Sequence, residues 1–80
     1  MNLQSRELAK HTLWKMIHEA DQAFTPDNTS RVSKDIRTGD STIRITVLLG
    51  GTFFRMVIGN MVFIGRDRIE RAIDHLAEII

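Results

Sequence analysis

Hydrophobic residues along the chain fall into two kinds of period. Over residues 3–24 they recur at helical spacing: Ala9, Leu13, Met16, Ile17, Ala20, Ala23 and Phe24 share one arc about 120° wide, the usual width of a core-facing stripe. Asn2 or Ser5 is placed to cap this helix, with Glu7 in its first turn, and Pro26-Asp27-Asn28 ends it. From residue 31 the period changes to two. Three turn signals, Thr38-Gly39-Asp40-Ser41, Gly50-Gly51 and Gly59-Asn60, divide residues 31–64 into four strands. A second helical stripe, Ile69, Ala72, Ile73, Leu76, Ala77, Ile79 and Ile80, closes the chain, with Asp67 and Glu70 forming a capping-box-like start.

The turns predict a register. Reading Thr38–Ser41 as a four-residue loop pairs Val32 with Val47, Lys34 with Ile45, Ile36 with Ile43 and Arg37 with Thr42. A two-residue turn at Gly50-Gly51 pairs Leu49 with Thr52, Val47 with Phe54, Ile45 with Met56 and Ile43 with Ile58. A two-residue turn at Gly59-Asn60 pairs Ile58 with Met61 and Met56 with Phe63.

Side chains alternate along a strand, so the register divides the sheet into two faces. One collects Val32, Ile36, Ile43, Ile45, Val47, Phe54, Met56, Ile58, Met61 and Phe63, with Lys34 as its single charge on an edge strand. The other collects Arg31, Ser33, Asp35, Arg37, Thr42, Arg44, Thr46, Leu48, Phe53, Arg55, Val57, Val62, Ile64 and Arg66. That second face is half apolar and half basic.

The expected fold class is therefore α+β: an N-terminal helix, an antiparallel three- to four-stranded meander and a C-terminal helix in one domain spanning 1–80. Four strands roughly 4.8 Å apart make a sheet near 19 Å wide, which two helices side by side cover on one face. The all-apolar face needs that cover. One helix per face would instead force arginines beneath a helix, where unpaired charge is costly.

Composition narrows the classes. With 42% hydrophobic and 26% charged residues, the chain is that of an ordinary folded domain, and its net charge of +1 by itself implies no polyanionic partner. It has no cysteine, which excludes disulfides and thiolate metal sites. No apolar run reaches the length of a membrane span and no signal-peptide core opens the chain, so a cytoplasmic location is expected.

Catalytic chemistry finds little support. His11 and His18 share a helix face but lie roughly 10 Å apart along its axis, too far for one metal. Asp35 opposite Arg44 reads as a cross-strand ion pair. No cofactor and no enzymatic activity are expected.

The distribution of charge is more informative. Arg31, Lys34, Arg37, Arg44, Arg55 and Arg66 stand against Asp35 and Asp40 in the sheet region, while other acids concentrate on the helices. An apolar patch framed by arginines has the make-up of a protein interface. The candidate partner-binding residues are Arg31, Arg37, Arg44, Leu48, Phe53, Arg55, Val57, Val62, Ile64 and Arg66. Trp14 joins them, either as a solvent-facing anchor on the polar side of the first helix or as a residue packed at the rim against 25–30.

The expected function is a small non-enzymatic protein–protein interaction module: a regulator, adaptor or inhibitor, virus-encoded ones included, that binds an acidic and apolar partner and forms a homodimer. The alternative is nucleic-acid binding through the same arginines. The helix–antiparallel sheet–helix order resembles, in architecture alone, the double-stranded-RNA-binding domain, which reads phosphates with a lysine-rich start to its last helix. Here that stretch is Gly65-Arg66-Asp67-Arg68-Ile69-Glu70-Arg71, with acids interleaved and no lysine. Phe53 alone is available for stacking single-stranded bases on that face.

Overall fold

The computed structural model describes residues 3–80. The elements are α1 (Leu3–Ala23), β1 (Ser30–Thr38), β2 (Ser41–Leu49), β3 (Phe54–Ile58), β4 (Met61–Ile64), the short 3-10 turn Arg66–Arg68, and α2 (Ile69–Ile79). The strands form one antiparallel sheet in the order β1-β2-β3-β4. Both helices pack on one face of it, as the hydrophobic pattern implies.

α1 buries Ala9, Leu13, Met16, Ile17 and Ala20, and also Thr12, a polar residue beside the apolar stripe. Ala23 is exposed, and Phe24 packs partly against the core. Asn2 lies outside the described residues. The chain is already helical at Leu3, so Ser5 sits inside the first turn rather than capping it, and Glu7 falls beyond that turn. After Phe24 the chain reverses, the Asn28 N–H donating to the Thr25 carbonyl at 3.1 Å.

Two of the three hairpins have the expected register. β1 and β2 pair Val32 with Val47 and Asp35 with Arg44; their ladder runs one rung further, to Thr38 opposite Ser41, leaving a two-residue turn at Gly39-Asp40. β3 and β4 pair Ile58 with Met61 and Met56 with Phe63. In both turns glycine comes first, with φ of 59° at Gly39 and 61° at Gly59, and the second residue keeps a negative φ. That is the φ pattern of a type II′ turn, whose twist suits the flanking strands.

The middle hairpin differs. Leu49 pairs with Phe54, Val47 with Met56 and Ile45 with Ile58, a shift of two residues from the Gly50-Gly51 expectation. The connection is a four-residue loop, closed by the Gly50 N–H donating to the Phe53 carbonyl at 3.0 Å. Gly50 is needed for a different reason from a tight turn: the Phe53 ring lies over it, and a Cβ there would collide with that ring. A shift of two leaves every side chain of the paired residues on its expected face, because the strand period is two, whereas Phe53, expected on the open face, falls in the loop.

The core between helices and sheet contains Ile45, Val47, Leu49, Phe54, Met56 and Ile58 from β2 and β3, against α1 and the Ile69, Ala72, Ile73, Leu76 and Ala77 stripe of α2. Val32, Ile36, Ile43 and Phe63 are partly buried around it, and Met61, on the same face but at the β4 edge, is 45% exposed. Asp67 does not cap α2. Residues 66–68 wind as a 3-10 turn, and the N-cap residue is Arg68, with no side-chain capping bond. The helices are instead tied to each other, Arg6 on α1 donating to Glu70 at 2.8 Å and to Asp74 at 3.1 Å on α2. Those bonds, the one to Glu70 foremost, raise the Arg6 pKa above its ordinary value.

Candidate interaction surface

The face away from the helices is open. Arg31, Ser33, Asp35, Arg37, Thr42, Arg44 and Arg55 are exposed on it, and Thr46, Leu48 and Val57 are half-buried by their neighbours alone. Val62 is 52% and Ile64 62% exposed.

The register arranges these residues in two rows across the strands. One row runs Ser33–Thr46–Val57–Val62, polar at the β1 side and apolar at the β4 side. The next runs Arg31–Leu48–Arg55–Ile64, alternating basic and apolar. Leu48 is thus bracketed by Arg31 on one neighbouring strand and Arg55 on the other. Arg31, Thr46, Leu48, Arg55 and Val57 line a shallow hollow at this point.

Strands two apart in a sheet lie roughly 9–10 Å from each other, so two long guanidinium side chains can close on one carboxylate above Leu48. Neither Arg31 nor Arg55 has an ion pair among the described residues. The Arg55 guanidinium stands 6.0 Å from the centre of the exposed Phe53 ring; Phe53 itself belongs to the 50–53 loop and lines a separate hollow with Asp21, Phe24 and Arg66.

Arg44 is in a different state. It forks onto Asp35 across the β1–β2 ladder, Nε to Oδ1 at 3.0 Å and Nη2 to Oδ2 at 3.5 Å. The hydrogen bond from Arg44 holds the Asp35 carboxyl below the ordinary carboxylate range, and Asp35 in return raises the Arg44 pKa. Two rungs along, on the same face, the Ser33 and Thr46 hydroxyls share a hydrogen bond at 3.1 Å. Arg44 is therefore already satisfied within the sheet, whereas Arg31, Arg37 and Arg55 have no carboxylate attached among the described residues.

Two of the expected site residues lie elsewhere. Arg66 is not on the open face. Gly65, with φ of 98°, turns the chain out of β4 toward the helices, where Arg66 donates to Asp21 of α1 at 2.8 Å and lies 4.7 Å over the ring of core residue Phe54. Trp14 is on the outer side of α1, 43% exposed, in a shallow hollow with Glu7, Lys10, His11, Lys15 and His18 of its own helix; no residue of 25–30 lines it. The structure thus separates Trp14 from the sheet face by the thickness of the domain.

Among the described residues no three His, Cys, Asp or Glu side chains converge to hold a metal ion. No described helix is long and apolar enough to cross a membrane. The chain matches no family model, and comparison with curated proteins and with solved structures returns no match either. The geometry of the open face is what speaks to function.

Proposed function

We propose that the protein is a small non-enzymatic interaction module, a regulator, adaptor or inhibitor, whose open sheet face binds a protein partner that is acidic around an apolar centre. The observation that carries this reading is Leu48 between Arg31 and Arg55, two guanidinium groups with no carboxylate of their own, next to the apolar run Val57, Val62 and Ile64. Arginine suits this role because its planar fork pairs bidentately with carboxylates. The chain acts as a homodimer in the cytoplasm. The open face is poorly matched to itself, since stacking two copies would set four arginines against four with only Asp35 to offset them in each.

The test is capture of partners from the native cells by wild-type protein and by the Arg31→Glu/Arg55→Glu double variant. Both residues are exposed and carry no ion pair among the described residues, so the double variant keeps its circular dichroism and melting temperature. The expected result is a partner held by the wild type, released by high salt and missing with the variant. Identical capture by both proteins rejects the assignment. The same unpaired arginines support nucleic-acid binding as a second reading; a gel shift with mixed DNA and RNA that shows no salt-sensitive complex rejects it.

A further inference from the structure

The two edges of the sheet are unlike. β1 is guarded by charge: Lys34 faces the helix side, and Arg31, Asp35 and Arg37 the other. At the opposite edge β4, Met61-Val62-Phe63-Ile64, has neither charge nor proline, and three of its four residues are substantially exposed. A bare apolar edge is a template for another strand, and sheet proteins generally protect such edges.

The register also shows which backbone groups point outward. In an antiparallel ladder, pairs that exchange two hydrogen bonds alternate with pairs that exchange none. Met61 closes the two-residue turn opposite Ile58, and the Gly65 N–H donates to the Phe54 carbonyl at 2.8 Å. Residues 61, 63 and 65 therefore turn their backbone groups to β3. Val62 and Ile64 turn theirs to the free edge, presenting two N–H and two C=O groups.

We propose that β4 pairs antiparallel with β4 of a second copy, about a two-fold axis at Phe63, to make a continuous eight-stranded sheet. Val62 then lies opposite Ile64 of the second copy, and the reverse, so every outward group of β4 is satisfied. This register keeps helix face with helix face and open face with open face, which a slip of one residue would not.

Charge on α2 supports the same axis. The rings of Phe63 and His75 are 5.8 Å apart, so the side of α2 bearing Arg68, Arg71, His75 and Glu78 runs along β4, and Arg68 and Arg71 border a hollow with that strand. With the axis beside His75, the second α2 runs antiparallel and brings Arg71 of each copy alongside Glu78 of the other. Neither residue has an ion pair among the described residues. The edge is self-complementary where the open face is not. The proposal rests on the homodimer part of the proposed function and is independent of the acidic partner.

Light scattering coupled to size exclusion, over a range of concentrations, should give twice the 9.2 kDa chain mass for the wild type. Val62→Pro removes an outward N–H and leaves the β3 ladder bonds intact; it should give the single-chain mass with an unchanged circular dichroism spectrum. Glu78→Arg should weaken the dimer roughly ten-fold through repulsion from Arg71, and Arg71→Glu/Glu78→Arg should restore it. If Val62→Pro fails to fold, the charge swap decides alone. A monomeric wild type, a dimer that survives in folded Val62→Pro, or a charge swap without rescue overturns the proposal. A dimer lost in Arg31→Glu/Arg55→Glu but kept in Val62→Pro overturns it in favour of the open face. Partner capture lost in that double variant with the dimer intact supports both assignments as separate surfaces.

Discussion

Met56 and Val57 are neighbours on β3 that point to opposite faces, so a pair of substitutions can weigh one face against the other. Met56 is wholly buried between sheet and helices, and Met56→Ala removes every side-chain atom beyond Cβ. Such truncations cost about 2–5 kcal/mol, the spread reflecting how far the site collapses. An 80-residue chain at about 0.05–0.15 kcal/mol per residue has some 4–12 kcal/mol in total, so this one change consumes a large fraction. At about 4–8 °C per kcal/mol, the melting temperature should fall by at least about 8 °C. Val57→Thr keeps the shape and the strand preference and meets solvent on the open face, so its cost should stay below about 1 kcal/mol. Thermal and urea melts followed by circular dichroism, at one fixed protein concentration because self-association shifts the midpoint, measure both. Equal losses from the two variants would refute one-sided burial, since Val57 would then lie in a covered core.

Other consequences are local. Asp35, whose carboxyl is held low by Arg44, contributes stability that is present above the ordinary carboxylate value of about 3.9 and is lost as pH falls through its own lowered value. A carbon-detected NMR titration should place its midpoint below 3.9 or so, and Arg44→Ala should return it to the ordinary range; an unshifted wild-type midpoint contradicts the pair. Ser30 is buried with a hydroxyl that finds no partner among the described residues, so Ser30→Ala should raise stability by up to about 1 kcal/mol in urea melts, and a clear loss would mean that the hydroxyl is bonded. Gly59→Ala should cost about 1–2 kcal/mol because φ is 61° there, whereas Gly51→Ala, with no positive φ and open space for a Cβ, should be close to neutral. Similar effects from both glycines would contradict the assigned turns.

The sheet faces were legible in the sequence because face depends only on parity. The glycine pair at 50–51 resembles a two-residue hairpin turn, yet Gly50 serves to admit the Phe53 ring, and the loop closes two residues later. The resulting shift of two moved every β2–β3 partner and no paired side chain from its face, so the strand part of the open surface could be read correctly from an incorrect register. Which arginines are free could not be read that way. It depends on cross-strand geometry for Arg44 and on the turn at Gly65, which sends Arg66 to Asp21, 45 positions away in sequence. Thr12 was missed because a buried threonine in a helix has no periodic signature beyond its place beside the apolar stripe. The absence of an Asp67 cap has the same origin: the 3-10 turn at 66–68 is set by the strand-to-helix approach, which no local motif encodes.

The central claim is that the open sheet face receives the partner. Methyl-resolved NMR of the folded chain, recorded as the captured partner is added, tests it most directly. The account predicts shifts or broadening at Leu48, Val57, Val62 and Ile64, with the core methyls of Ile45, Val47 and Ile58 far less affected. Changes confined to Leu8 and the outer side of α1 around Trp14, with the sheet methyls undisturbed, would contradict it.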